Sequence, residues 1–166
     1  MSSDASCFGG QRPRALEGLL ALPAELPEYP FDGHSHADNL VFELICPCGC
    51  DTFDVHAFAD EEPLPPVMLT CSECGTRRIC FDPKCDGYDG VVGNYQATPP
   101  PASASRTTLI ADVPLWIRFE FPPDLLESGA DEPWCGREAD LYSWFSLVAL
   151  DEQTNMLRTV FDWECA

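Results

Sequence analysis

Five cysteines fall in two tight groups, Cys46, Cys48 and Cys50 in the run Cys-Pro-Cys-Gly-Cys, and Cys71 and Cys74 in Cys-Ser-Glu-Cys-Gly. The 22 residues between Cys48 and Cys71 are the length of a hairpin. Close cysteine pairs so separated fit a structural zinc site, where Zn2+ takes four soft ligands in a tetrahedron at about 2.3 Å from sulfur. Gly49 and Gly75 each follow the second cysteine of a pair. A glycine there can take positive φ and turn backbone amides toward the thiolates, which is what a metal knuckle needs. The second pair is regular and the first is not. Cys46 with Cys48 is preferred because Pro47 and Gly49 bracket a turn. Cys48 with Cys50, and Cys46 with Cys50, stay open. The ligand set is read as Cys46, Cys48, Cys71 and Cys74 around one structural zinc ion.

Other chemistry finds thinner support. Cys80 and Cys85 flank Asp82-Pro83 and could hold a second metal with His34, His36 or His56, although a buried free cysteine at Cys80 is the plainer reading. Cys71-x-x-Cys74 as a redox pair would be expected to open a helix, whereas a strand-like run follows it. The chain has no Gly-x-Ser-x-Gly elbow, no His-Glu-x-x-His and no phosphate-binding glycine loop. No catalytic residue is therefore assigned. Four thiolates would leave zinc no open position for substrate.

These cysteines need short strands to carry them, and the pattern supplies such strands. Asn39 to Ile45 is strand-like and runs straight into the first cysteine group. Thr52 to Phe58 alternates, with Phe53, Val55 and Ala57 on one face. Val67 to Thr70 leads into the second group, Arg77 to Phe81 leaves it, and Asp82 to Gly90 is turn-rich. Asp60 to Pro66 reads as an exposed loop. Leu109 to Phe121 reads as a strand interrupted at Pro114, with Trp116, Arg118 and Glu120 alternating against Leu115, Ile117, Phe119 and Phe121. Asp124 to Ser128 suits one helical turn. Leu141 to Leu150 and Met156 to Trp163 read as two strands joined by a hairpin connection over residues 151–155. Near the N-terminus, Leu16, Leu19, Leu20 and Leu22 predict a short amphipathic helix from Arg14 to Leu22, stopped by Pro23.

The fold expected is mostly β with minor α, a zinc-ribbon core carrying an additional antiparallel sheet. The divisions expected are an N-terminal extension with the short helix over 1–36, a zinc-ribbon module over 37–95, a linker over 96–106 with three consecutive prolines, and a C-terminal β region over 107–166 packed on the ribbon.

The runs Cys46-Pro47-Cys48-Gly49, Phe53-Asp54-Val55, Cys71-Ser72-Glu73-Cys74-Gly75 and Gly87-Tyr88-Asp89-Gly90 together resemble a group of small bacterial zinc-ribbon proteins of uncharacterised function. The resemblance covers Leu44 to Gly90, and less specifically the ending Tyr142-Ser143-Trp144-Phe145 with Asp162-Trp163-Glu164-Cys165-Ala166. It implies a zinc-stabilised fold and no particular activity. The chain departs from the pattern in its surplus cysteines Cys50, Cys80 and Cys85.

Composition narrows the function. The chain has 166 residues, 45% of them hydrophobic, enough for a packed core. No apolar run approaches the roughly 20 residues of a membrane helix. The polar N-terminus shows no secretory pattern, and ten cysteines in a reducing compartment point to metal and not to disulfides, so a cytoplasmic location is expected. The net charge is -19, with 28 acids against nine bases spread over the whole length. Such a surface repels nucleic acid and anionic membranes and suits a basic protein partner. Trp134, in a loop-like run, is the aromatic best suited to partner contact. The function expected is a zinc-stabilised acidic binding protein, of the immunity type or another protein-interaction factor. The alternative is a hydrolase-like enzyme whose site is assembled from scattered acids and histidines.

Overall fold

The computed structural model describes residues 12–26, 39–57, 66–87, 107–121 and 138–165. They form an antiparallel, curled β structure of eight strands: β1 (Leu20–Pro23), β2 (Asn39–Ile45), β3 (Thr52–Ala57), β4 (Val67–Cys71), β5 (Arg77–Phe81), β6 (Thr107–Glu120), β7 (Trp144–Asp151) and β8 (Met156–Glu164). The expected β class is what the structure has. The linker over 96–106, the helical turn at Asp124 to Ser128, the acidic loop after Asp60 and Trp134 lie outside the described residues, as do His34 and His36.

The strand order is β1-β2-β6-β3-β4-β5, with β7 on β6 and β8 on β7. The long strand β6 organises the sheet. Thr107 to Pro114 pairs with β3, while Trp116 to Glu120 lies between β2 and β7. A strand from the C-terminal region therefore stands between the two strands that flank the first cysteine group. The strand also runs through Pro114 without the expected interruption. Pro114 sits opposite Thr52, just past an irregularity in the β3–β6 register, where a missing N–H is tolerated. At that irregularity Asp112 has a φ of 53°. Its amide donates to Asp54 Oδ1 at 2.8 Å, and its carboxylate accepts from the Thr52 hydroxyl at 2.9 Å.

The N-terminal helix expected from Arg14 to Leu22 is replaced by a 3-10 turn at Arg14–Leu16 followed by β1. Gly18 takes a φ of 71° and ends the turn. The chain then pairs with β2, from Leu20 opposite Ile45 to Pro23 opposite Phe42. Leu16 and Leu19 still bury their side chains, so their apolar spacing serves the core without a helix.

Alternation decides what faces inward. Phe53, Val55 and Ala57 are buried on β3, and Leu115, Ile117 and Phe119 on β6. The curl brings β5 against β7 and β8: the Phe81 ring stacks on Phe145 at 4.8 Å and lies 5.6 Å from Phe161. Phe119 and Tyr142 extend this cluster, with their ring centres 4.8 Å apart. Each fully buried aromatic contributes about 2 kcal/mol of transfer free energy, so this cluster fixes the sheet that carries the cysteines.

Candidate metal centre

Two strand ends deliver the cysteines. β2 stops at Ile45, and Cys46 opens a turn closed by hydrogen bonds from the Cys46 amide to the Cys50 carbonyl and from the Gly49 amide to the Cys46 carbonyl, both 2.8 Å. β4 ends at Cys71, where the Gly75 amide donates to the Cys71 carbonyl at 3.0 Å. Gly49 and Gly75 have φ values of 96° and 69°. No atom comes within 4 Å of a Cβ built at either one, so backbone conformation alone calls for glycine there. The Ser72 amide donates to the Thr52 carbonyl at 3.2 Å and ties the two knuckles together.

Cys46, Cys48, Cys71 and Cys74 converge, with every Sγ within 4.8 Å of the other three. Across the knuckles, Cys46 Sγ lies 3.7 Å from Cys74 Sγ, and Cys48 Sγ 3.6 Å from Cys71 Sγ. A zinc ion at about 2.3 Å from each sulfur sets tetrahedral edges of about 3.8 Å, so the donor set fits such an ion. Cys46 and Cys71 form the buried floor, and Cys48 and Cys74 the exposed rim. Cys50 is not part of the cluster. Its thiol turns to the carbonyl and hydroxyl of Thr52, at 3.4 and 3.5 Å.

The surroundings divide the thiols. Burial raises the pKa of Cys46 and of Cys71 above the usual thiol range. Cys74 is lowered to about 6, first by the Thr76 hydroxyl 3.2 Å from its sulfur and then by the Thr76 backbone. Thr52 and Thr76 were not singled out by the sequence reading. Their signal is the spacing Cys-x-Thr, in Cys50-Asp51-Thr52 and Cys74-Gly75-Thr76, which returns a hydroxyl to the side of the sulfur.

The remaining candidates lie elsewhere. Cys80 is fully buried on β5, and burial drives its pKa up. Cys85 sits in the following turn with its sulfur 3.8 Å from Asp82 Oδ2. Among the described residues, Cys46, Cys48, Cys71 and Cys74 are the one group that could hold a metal ion. Cys165 is buried at 2% exposure and packs against Gly87. Among the described residues, no helix is long and apolar enough to cross a membrane.

No protein-family model matches the chain, and no match was found among curated proteins or solved structures. The cysteine geometry therefore carries the argument without help from relatives.

Proposed function

We propose that this chain is a zinc-stabilised acidic protein of the bacterial cytoplasm whose task is to bind another protein, with a zinc-ribbon element where β2 and β4 end. The observation that carries the metal reading is the convergence of four Sγ atoms within 4.8 Å from two glycine-bearing knuckles. Zinc held by Cys46, Cys48, Cys71 and Cys74 keeps no coordination position for water or substrate, so its contribution is to folding. The binding reading rests on charge. A net charge of -19 attracts a basic protein and speeds its approach, as an immunity-type or similar interaction factor requires.

Elemental analysis of the purified protein should find about one zinc per chain. Complete chelation should collapse the thermal transition, and an unchanged midpoint would overturn the metal reading. For the partner, a basic protein recovered from the host should associate more slowly as ionic strength rises to physiological values, where screening acts over about 8 Å. An association rate insensitive to salt would remove the role assigned to the charge.

A further inference from the structure

Among the described residues β8 is an edge strand. Met156–Glu164 pairs with β7 on one side and with no other strand among the described residues. None of its nine residues is buried, and six are exposed. β1 and β5 are the other edge strands among the described residues, and both place side chains in the core, Ala21 from β1 and Cys80 and Phe81 from β5. Yet the composition of β8 is not that of a strand made for water. It carries Met156, Leu157, Val160, Phe161 and Trp163, with Met156 66% and Trp163 37% exposed. The Trp163 ring stacks on Phe161 at 6.3 Å and 7°, and Phe161 reaches Phe145, so an apolar ridge runs from the core to the edge.

Exposed edges are normally blunted by charged residues, lysine above all, by proline, by β-bulges or by a covering segment. β8 has no lysine and no proline, and a register shift opposite Leu147 and Val148 is its sole irregularity. Its two faces differ in chemistry. Asp162 and Glu164 share one face, where Asp162 Oδ1 accepts from Trp144 Nε1 at 2.6 Å. Phe161 and Trp163 share the other. With Asp151 at the end of β7 and Glu152 in the turn that follows, the segment carries four acids and one base, Arg158.

We infer that the free edge of β8 is a docking site for an extended segment of a basic partner protein, added as a further strand. Main-chain hydrogen bonds would supply the affinity, and alternate side chains the specificity. Lysine or arginine would meet Asp162 and Glu164, and apolar residues would extend the Phe161–Trp163 ridge. A second copy of the chain is the poorer occupant, because each copy carries a net charge of -19. The inference rests on the reading of a basic protein partner and adds where that partner binds.

The test uses the full chain and a peptide of alternating lysine and valine, nine residues long like β8. One control has the same charge with two valines replaced by proline, and the other has glutamate for lysine. Amide hydrogen exchange is read residue by residue. The lysine–valine peptide should slow exchange along residues 157–163. The proline peptide should bind about tenfold more weakly, since it cannot complete the ladder, and the glutamate peptide weaker still. Trp163→Ser should weaken the lysine–valine peptide and leave β7 pairing intact. Equal binding of the two basic peptides, or protection confined to other strands, overturns the edge while sparing the basic-partner reading. Failure of both basic peptides to bind overturns both. Concentration-dependent protection of β8 without peptide, with a dimer in sedimentation, would assign the edge to a second copy and overturn the occupant proposed.

Discussion

Arg14 grips Asp86 with both arms of its guanidinium: Nε donates to Oδ1 at 2.8 Å and Nη2 to Oδ2 at 2.5 Å. Asp86 is nearly fully enclosed, while the Arg14 side chain keeps 18% exposure. The same carboxylate accepts the Asp82 amide at 2.6 Å, and the Arg14 amide donates to Asp140 Oδ1 at 2.7 Å. One pair thus fastens the N-terminal turn to the turn after β5 and to the segment before β7. Removing one member strands the other in a site built for two charges, so Asp86→Ala should cost about 3 kcal/mol in urea unfolding. Asp86→Asn keeps two polar atoms and should cost less. A loss within the range of ordinary surface substitutions would show that the clasp is not a structural element.

The same pair gives a pH signature. Burial raises the Asp86 carboxyl above its ordinary value of 3.8, and the Arg14 guanidinium opposes that shift without cancelling it. A carboxyl with a raised folded pKa holds more protons folded than unfolded, so its stabilisation is complete below 3.8 and is lost as pH rises through the folded value. The stability of the native protein relative to Asp86→Asn should therefore increase as pH falls through this window, then level off. A difference running the other way would mean that Arg14 outweighs burial.

Much of the sheet was legible because period-two alternation leaves a trace in a single sequence. Phe53, Val55 and Ala57 announce β3, and Leu115, Ile117 and Phe119 announce the half of β6 that enters the core. The N-terminal turn was misread because Leu16 and Leu19 fit a helix as well as they fit a turn followed by a strand, and Gly18 decides between them. The insertion of β6 between β2 and β3 left no local trace, since strand order depends on residues far apart in the chain. The Arg14–Asp86 clasp was invisible for the same reason. It spans 72 residues, and nothing distinguishes Asp86 among 28 acids until the fold encloses it. At the cysteines, spacing narrowed the choice but could not separate Cys46 or Cys48 from Cys50. In the structure Cys46 and Cys48 cluster with Cys71 and Cys74, while the Cys50 thiol lies beside Thr52.

That distinction predicts an unequal response to serine. Cys48→Ser removes one corner of the four-sulfur cluster and should release zinc and lower stability by several kcal/mol, since metal binding contributes to folding. Cys50→Ser exchanges a thiol beside Thr52 for a hydroxyl that can hydrogen-bond the same groups, and zinc content should stay near that of the native protein. Elemental analysis of the two variants decides it. Zinc lost from Cys50→Ser and kept by Cys48→Ser would move the ligand from Cys48 to Cys50.

The close approach of Gly87 to Cys165 offers a test of whether the C-terminal end belongs to the core. A Cβ added at Gly87 would stand 2.4 Å from Cys165 Sγ, 2.6 Å from Cys165 Cβ and 3.3 Å from the Tyr142 carbonyl oxygen. Gly87 also has a φ of 78°, which costs an alanine about 1 kcal/mol before any contact is counted. Gly87→Ala should therefore destabilise by more than the backbone alone explains, by about 2–3 kcal/mol, as the end of β8 is pushed off the turn. The steric part has a separate prediction. In a Cys165→Gly background the two closest contacts vanish and the φ cost remains, so the penalty of Gly87→Ala should shrink by about 1 kcal/mol or more, a coupling that residues in direct contact show. Strict additivity of the two substitutions would mean that the C-terminal residues move aside freely.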